Sequence, residues 1–552
     1  MRLLRTAAWF ASSAMLAMAA HGADPAPRSD RPRPNVVVIL VDDVGFSDVG
    51  CYGSEIPTPH IDALAAGGLR FSSFANTARC STTRAALLTG LYPHQAGMGH
   101  LDGLRRPHSQ GTHGRLHDRC VTLAEVLAQA GYHTSIVGKW HLGQQHGTPP
   151  WDRGFRRTAT TQFGELAFPT EQSPPATKVV YLDGRAVPAD SPEVGVGEWY
   201  GTEMFTDWAL KFVDDSLGQK MPFFLYVAHG AAHFPLKAPA DVIARHRGRY
   251  RAGWDRLREE RHRRQIELGL VDPIWPLAPR PADVPAWDSL SDADRDRFDS
   301  IMAVYAAMIE CIDTSVGRLV AGLRDRGVLD DTLILFLSDN GGNAESGPRG
   351  LAEGDPIGGP HSRVFLGMGW ATLANTPFRR YKHFTHEGGI ATPLIAHWPA
   401  GIAADRRGGI EPAPGHVIDV MPTLVEVCDA TYPAEHRGHH TLPCEGTSLV
   451  PAFAGQPIHR WKPIFWEHEG NKAIRSGRWK AVLKHGGPWE LYDMEADRTE
   501  LRDLAAEQTA VRDLLVNQWT EWAASSFVDP WPGPPRFEWG EEPKDRINPR
   551  QP

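Results

Sequence analysis

The sequence predicts an α/β protein with a mostly parallel central sheet flanked by helices, followed by a smaller C-terminal α+β domain. Two observations predict it. Continuous apolar runs of strand length alternate with helical segments along most of the chain, which is typical of parallel strands covered on both faces. Beyond about residue 456 the segments become shorter and antiparallel in character.

The first buried strand is NVVVIL at residues 35–40, and it runs directly into Asp42 and Asp43. TLAEVLAQAG at 122–131 is predicted as a helix, because a threonine and a glutamate form a capping box at its start and a glycine closes it. YHTSIVGKWH follows as a strand and then a polar loop.

Two further buried strands are predicted downstream. PFFLYVAHGAAHFP ends in His229 and His233, and TLILFLSDNGG ends in Asp339 and Asn340. Between them, AVYAAMIECIDTSVGRLVAGLRDRG has the apolar spacing of an amphipathic helix. HVIDVMPTLVEVC is also predicted to be helical.

The C-terminal segments PIFWEHEG, KAIRSGRWKAVLK and WELYDMEADRTE are predicted as antiparallel strands, and AVRDLLVNQWTEWAAS as a last helix. A chain of 552 residues is too long for one simple core. We therefore predict a signal peptide at 1–23, the main α/β domain at 34–455, a smaller domain with an antiparallel sheet and a helix at 456–526, and an irregular tail at 527–552.

The N-terminus, MRLLRTAAWFASSAMLAMAAHGA, has two arginines, a short apolar run and then small residues. This pattern is typical of a secretory signal, with cleavage expected between Ala19 and Ala23. The apolar run is too short to span a bilayer, and no later stretch is predicted to span one. We expect an exported protein, periplasmic or secreted, with no membrane anchor.

The charge pattern gives no indication of nucleic-acid binding. The net charge is −8, and the basic stretch ARHRGRYRAGWDRLREERHRRQIELG has acidic residues interleaved. Such mixing is typical of a solvated helix, so we expect no nucleic-acid partner.

The chain has six cysteines, which an oxidising compartment would allow to pair. Cys428 and Cys444 flank a loop and could bridge it. If Cys80 is chemically consumed, at least one of the remaining five must stay a free thiol. Three occur singly in unlike contexts and cannot be paired from the sequence: Cys51, Cys120 and Cys311.

Four predicted strands end in charged or ligand-type side chains. In open α/β sheets, ligands bind beyond the carboxyl ends of the strands, so this convergence predicts an active site there. The pair Asp42–Asp43 or the pair Asp339–Asn340 alone would be typical of an ordinary cap or turn. Because each of the two pairs follows a buried strand, together they favour a metal site. The oxygen-only set suits Ca²⁺ and, less well, Mg²⁺; its members are Asp42, Asp43, Asp339 and Asn340.

Cationic and imidazole side chains are predicted around this metal. Lys139 and His141 are two residues apart, so in an extended chain both would face one pocket. With Arg84, His233 and Lys382 they describe a site for a tetrahedral oxyanion, in which the cations hold the oxygens and the imidazoles move protons.

CSTTRAALLTG at 80–90 places Cys80 at the start of a short helix. Helix N-termini favour an anion or a thiolate, although a lone cysteine there is more often only a small apolar residue.

This segment resembles the signature of the type I, formylglycine-dependent sulfatases, arylsulfatase-like members of the alkaline-phosphatase superfamily. The resemblance extends over nearly the whole mature chain. It includes NVVVILVDDVGFSDVGCYG, TPHIDALAAGGLRF, LYPHQAGMG, GYHTSIVGKWHLG, FLYVAHGAAHFPLKAP, LFLSDNGG, NTPFRRYKHFTHEGGIATPLIAHWP and WELYDMEADRTEL. It implies an alkaline-phosphatase-like α/β domain with a smaller C-terminal α+β domain.

The resemblance also implies roles. Cys80 would be oxidised to formylglycine by a formylglycine-generating enzyme, and the hydrate would attack the sulfur of a small-molecule or carbohydrate sulfate ester. The calcium ligands would be Asp42, Asp43, Asp339, Asn340 and residue 80. Arg84 and Lys139 would position the hydrate, His141 would help expel sulfate, and His233 and Lys382 would hold the sulfate and protonate the leaving oxygen.

One residue departs from the family pattern. Thr82 stands where Pro or Ala is usual, within the segment that the maturation machinery reads. Two alternatives stay open: a phosphodiester or phosphonate monoester hydrolase of the same fold, and an unconverted, non-catalytic relative that binds sulfoglycans.

Overall fold

The computed structural model describes residues 33–533, except 107, 163, 165 and 171–177. The predicted signal peptide and most of the predicted tail lie outside these residues.

The strands are β1 (Asn35–Val41), β2 (Leu69–Phe71), β3 (Phe74–Ala75), β4 (His133–Lys139), β5 (Arg157–Thr161), β6 (Val179–Leu182), β7 (Arg185–Pro188), β8 (Phe223–Ala228), β9 (Thr332–Ser338), β10 (Leu351–Glu353), β11 (Arg363–Phe365), β12 (Leu394–His397), β13 (Gly409–Glu411), β14 (Gly415–His416), β15 (Glu435–His436), β16 (His439–His440), β17 (Ile464–His468), β18 (Asn471–Ser476), β19 (Trp479–Leu483) and β20 (Trp489–Asp493). The helices are α1 (Pro59–Gly67), α2 (Cys80–Thr89), α3 (Leu123–Gln129), α4 (Gly201–Gly218), α5 (Ala240–His246), α6 (Gly253–Glu267), α7 (Asp292–Asp325), α8 (Met368–Ala374), α9 (Glu387–Ile390), α10 (Val420–Val427), α11 (Val450–Phe453) and α12 (Thr509–Ser525).

The main sheet has the strand order β13-β2-β12-β9-β1-β8-β4-β5-β6-β7. Its centre, from β9 to β5, is entirely parallel. Strands β12, β6 and β7 pair antiparallel with their neighbours. The predicted α/β class is confirmed, and the sheet is mixed: a short turn joins β6 to β7 as an antiparallel edge hairpin, and β12 runs opposite to both of its neighbours.

Strand β1 lies at the middle of this sheet, and its side chains alternate between the two faces. Val37 and Ile39 join an apolar cluster that includes residues of α4 and α7. Val36 and Val38 join a second cluster that includes residues of α2 and α3. Helices therefore cover both faces, which explains why the strand reads as a continuous apolar run.

Helix ends follow the capping chemistry of the sequence. The predicted capping box of α3 is present: Thr122 accepts a hydrogen bond from the Glu125 amide, and Glu125 accepts one from the Thr122 amide.

Helix α7 is longer than predicted, because Ser291 caps it by accepting from the Asp294 amide at 3.1 Å. By length and composition α7 would reach across a bilayer, but 78% of its apolar window is buried inside the protein, as in a core helix.

The C-terminal segment forms the expected small antiparallel sheet, β17-β18-β19-β20, with α12 beside it. The Trp519 indole of α12 donates a hydrogen bond to the Trp466 carbonyl of β17 at 3.0 Å.

The suggested bridge between Cys428 and Cys444 is wrong for this structure, in which both are free thiols. Cys444 instead directs its sulfur at the Gly90 carbonyl, 3.6 Å away. Cys428 is buried at the end of α10 and lies against the Tyr132 hydroxyl.

Candidate active site and metal centre

The four strands predicted to end in functional side chains are adjacent in the sheet, in the order β9-β1-β8-β4. They are parallel, so their carboxyl ends lie along one edge. The predicted convergence is therefore present, and each side chain of the site can be followed from the strand that carries it.

Asp42 follows β1 and is fully buried. Its Oδ2 accepts hydrogen bonds from Lys139 Nζ at 2.5 Å and from Arg84 Nη2 at 3.2 Å. Burial by itself raises the pKa of Asp42, but Lys139, His233 and Arg84 outweigh burial and hold the pKa below its ordinary value. Asp42 is therefore a carboxylate at neutral pH.

Asp43 has a left-handed backbone, with φ of +59°, which turns its side chain across the edge of the sheet. Its Oδ1 accepts from Asn340 Nδ2 at 2.6 Å and from Lys382 Nζ at 2.7 Å. Its Oδ2 accepts from Asn343 Nδ2 at 2.8 Å. Lys382, which is distant in sequence, is thereby brought to the metal-ligand candidates.

Asp339 follows β9 and shares Arg84 with Asp42, because Arg84 Nη2 also lies 3.0 Å from Asp339 Oδ2. Arg84 Nη1 donates to the Lys139 carbonyl at 3.0 Å, so one buried guanidinium connects α2 with β4, Asp42 and Asp339. Burial and the neighbouring Asp42 raise the pKa of Asp339 to about 7, although Arg84 opposes them.

These residues fit a hard cation. Among the described residues, neither Asp42 Oδ1 nor Asn340 Oδ1 has a hydrogen-bond partner, although both atoms are buried. Orphaned buried oxygens are costly, and a cation bound by oxygen ligands would satisfy them. The residues that would hold it are Asp42, Asp43, Asp339 and Asn340.

Cys80 is the first residue of α2 and is only 2% exposed. Three residues later, the Thr83 hydroxyl donates to the Asp339 carbonyl at 2.6 Å, which fixes the start of the helix against the end of β9. Burial lowers the pKa of Lys382, but Asp43, Glu345 and Cys80 together raise it above its ordinary value. Cys80 therefore lies close enough to Lys382 to influence its charge.

His141 reaches the site by a different backbone path from the one predicted. Strand β4 ends at Lys139, and His141 has a left-handed φ of +61° with its amide donating to the Gln162 carbonyl. The assumed extended chain is wrong at this point, because a turn begins where the ladder ends. Burial, Lys139 and Arg84 lower the pKa of His141, so the imidazole is neutral at pH 7.

His233 lies beyond β8, with its side chain 19% exposed. Nδ1 donates to the Phe234 carbonyl at 2.7 Å, and the ring stacks on Phe234 with a centroid separation of 4.4 Å. Nε2 lies 3.7 Å from Asp43 Oδ2. The Nε2 atom of His233 is therefore directed at Asp43.

Sequence reasoning missed three polar residues beside this pocket. Asn343 donates to Asp43, and Arg79 donates to Glu345 Oε1 at 2.7 Å. Glu345 Oε1 lies 3.8 Å from Lys382 Nζ. The polar run NAES that follows DNGG, and the basic residue before Cys80, were the available signals.

The family model described as Sulfatase matches residues 34–430, which is more than half of the chain. The chain belongs to the sulfatase family. A second family model, described as N-sulphoglucosamine sulphohydrolase, C-terminal, matches residues 379–523 of this sulfatase.

Curated relatives agree. The sulfatase is 33% identical over 542 residues to an uncharacterized sulfatase of Schizosaccharomyces pombe, covering 91% of this chain and 95% of that protein. It is 33% identical to an arylsulfatase of Klebsiella aerogenes, covering 80% of this chain and 95% of that one. The crystal structure of Ps i-CgsB in complex with k-i-k-neocarrahexaose is similar with a TM-score of 0.67 and 26% identity, over 91% and 95% of the two chains. The protein is thus a sulfate ester hydrolase of the alkaline-phosphatase-like superfamily.

Proposed function

We propose that this sulfatase is of arylsulfatase type and cleaves sulfate monoesters through a formylglycine hydrate made from Cys80, with Ca²⁺ held by Asp42, Asp43, Asp339 and Asn340. The observation that carries the proposal is the position of Cys80. It starts a helix whose next turn supplies Arg84, which contacts Asp42 and Asp339, and it lies close enough to Lys382 to raise the pKa of that lysine.

Charge supports an anionic substrate. Three carboxylates in the pocket face three cationic side chains: Lys139, Arg84 and Lys382. A divalent cation would leave the pocket net positive, and this charge would stabilise the oxygens of a sulfate group as its ester bond breaks. A converted residue 80 would supply the nucleophilic oxygen and a spare hydroxyl through which sulfate leaves.

The two histidines suit opposite proton transfers. His141 is neutral beside Lys139, so it can take a proton from residue 80 and help release sulfate. His233 has its Nδ1 committed to a carbonyl, which leaves Nε2 to carry a proton to the leaving oxygen. Lys382 would hold the sulfate from its position on Asp43.

The substrate is proposed to be a small-molecule or carbohydrate sulfate ester. Several relatives are N-acetylgalactosamine-6-sulfatases or arylsulfatases, and the solved complex of Ps i-CgsB contains a neocarrahexaose. The secretory pattern of the N-terminus supports an exported, periplasmic or secreted enzyme that meets its maturation enzyme before folding.

Paired turnover tests the proposal. Purified enzyme is assayed with an aryl sulfate and with the matching aryl phosphodiester, and the peptide that holds Cys80 is weighed by mass spectrometry. Faster sulfate turnover with an aldehyde at residue 80 is expected. Faster phosphodiester turnover would establish the alternative hydrolase, and an unmodified Cys80 in fully active enzyme would refute the formylglycine mechanism.

A further inference from the structure

A second polar cluster begins at the residue after Lys382. His383, the next residue, is buried and is directed at the turn between β17 and β18. Its Nδ1 lies 3.5 Å from Glu469 Oε2, and its ring stacks on His468 with a centroid separation of 5.7 Å. His100 Nε2 lies 2.8 Å from Glu469 Oε1.

We propose that His383, His468 and Glu469, with His100 as a fourth ligand, form a binding site for Zn²⁺ or a similar transition-metal ion, separate from the calcium site. Each of the first three residues offers one ligand atom, and these atoms lie within 4.8 Å of one another. Imidazoles combined with one carboxylate are the donors that zinc prefers, whereas calcium requires oxygens.

The separations fit a tetrahedral ion. Ligand atoms about 2.1 Å from a tetrahedral zinc ion lie about 3.4 Å from each other. His383 Nδ1 and Glu469 Oε2 are 3.5 Å apart, and His468 Nε2 and Glu469 Oε1 are 3.9 Å apart. Small side-chain rotations would close the site around one ion.

His468 gives an independent indication of a ligand. It is fully buried at the end of β17, and within the described part of the chain neither of its ring nitrogens has a hydrogen-bond partner. A buried imidazole whose ring nitrogens make no hydrogen bond is costly, and a coordinated metal removes that cost at one nitrogen.

The surroundings of His383 match those of metal-bound histidines. Such histidines usually donate their second N–H to a carboxylate, which fixes the ring. His383 Nε2 lies 2.9 Å from Glu345 Oε1 while Nδ1 faces Glu469. Arg79 Nη1 also lies 2.8 Å from His383 Nδ1, but it donates to Glu345 Oε1 at 2.7 Å as well, so the guanidinium keeps a partner when a metal occupies Nδ1.

The test uses the full chain with excess Ca²⁺ present throughout. Protein stripped of transition metals is titrated with Zn²⁺ and, separately, with Co²⁺. About one equivalent of each is expected to bind per chain, with the intense visible bands of four-coordinate Co²⁺. The same binding is expected in the Cys80→Ala variant, which lacks the proposed nucleophile, so failure of the proposed function and failure of this site can be told apart.

Variants locate the site. His468→Ala is expected to abolish binding, and Glu345→Gln to weaken it about 10–100-fold through the second N–H of His383. His440→Ala is the matched control, because His440 is 87% exposed on a surface hairpin that contains other histidines. If His468→Ala does not fold, the wild-type Co²⁺ spectrum and Glu345→Gln decide. Absence of binding to the wild type, a six-coordinate spectrum, or loss of binding in His440→Ala alone would overturn the proposal.

Discussion

The Thr83 hydroxyl donates a 2.6 Å hydrogen bond to the main-chain carbonyl of Asp339. The two residues are far apart in sequence, and the bond ties the first turn of α2 to the loop that carries two metal-ligand candidates. Together with Arg84, which also contacts Asp339, this bond holds the helix that begins at Cys80 against the proposed metal ligands.

Thr83→Val removes this bond and keeps the shape of the side chain. A net hydrogen bond contributes about 1 kcal/mol, so we expect kcat to fall about fivefold as α2 loosens against β9. Thr89→Val is the matched control, because Thr89 makes a similar bond at the other end of the helix, to the Ala85 carbonyl. Equal activity losses in both variants would show that the contact with Asp339 has no special role.

Asp339→Ala removes one proposed metal ligand and one partner of Arg84. We expect calcium content to fall below stoichiometric and kcat/KM to fall by at least about a hundredfold, since the charge that stabilises the departing sulfate is lost. Metal analysis and steady-state kinetics measure both. A variant that kept its calcium and its turnover would show that the assigned ligand set is wrong.

Cys80→Ala should abolish turnover and leave the fold intact, because a small residue at the start of α2 costs little packing. In the active enzyme, the peptide that holds residue 80 should be lighter than the encoded one by the exchange of H₂S for oxygen, and it should react with hydrazides. Near-UV circular dichroism of the variant checks the fold. Residual activity close to that of the wild type would exclude residue 80 as the nucleophile.

Thr82→Pro restores the family's usual residue. Thr82 lies in the first turn of α2, where an amide has no helical partner, so proline is compatible with the structure. The lost contacts are the hydroxyl's bonds to the Arg79 carbonyl and to Thr77. We expect aldehyde content and activity to rise in parallel, and a rise in activity without a rise in aldehyde would contradict this explanation.

The two active-site histidines should differ in their dependence on the leaving group. His233→Ala is expected to lose about 10²–10⁴-fold with poor leaving groups and much less with good ones, which need no proton. His141→Ala is expected to accumulate a sulfated enzyme, visible by intact mass. A uniform loss across the leaving-group series for His233→Ala would argue against its role as an acid.

Buried neutral histidines should make the fold sensitive to acid. Burial lowers the pKa of His229 to about 4, while an unfolded histidine titrates near pH 6.5. The unfolded chain therefore binds the proton more readily between these values, and this residue's share of stability is lost as the pH falls from 6.5 to 4, reaching about 3 kcal/mol. Urea midpoints of His229→Gln should depend less steeply on pH; an unchanged slope would contradict the assignment.

Much of the fold was predictable because the information is local. The run NVVVIL is apolar on both faces, and the observed β1 is covered on both faces. The neighbours of β1 are β9 and β8, which come from distant segments, and no local pattern specifies that order. The proposed oxygen ligands could be predicted because each follows the end of an apolar strand. Their distances from one another could not, because those distances depend on the strand order.

The sequence was less informative where the backbone leaves regular structure. His141 and Asp43 both adopt positive φ, which these residue types do more often than most but only at a minority of positions, so the assumption of an extended chain fails at His141. Asn343 and Glu345 contact the site from a loop with no periodic pattern. The contact of Glu469 with His383 could not be predicted either, because it depends on the β17–β18 turn folding against His383.

The pairing of Asp42 with Lys139 and of Asp43 with Lys382 has a consequence for assembly. Mutually repelling carboxylates at one edge of a sheet would oppose collapse of the chain, but here each meets an ammonium group from elsewhere in the same polypeptide. Lys139 and Lys382 thus act as the counterions of Asp42 and Asp43. Folding can therefore finish before the proposed cation binds, and loading with the ion would be a late, reversible event rather than a condition for reaching the native state.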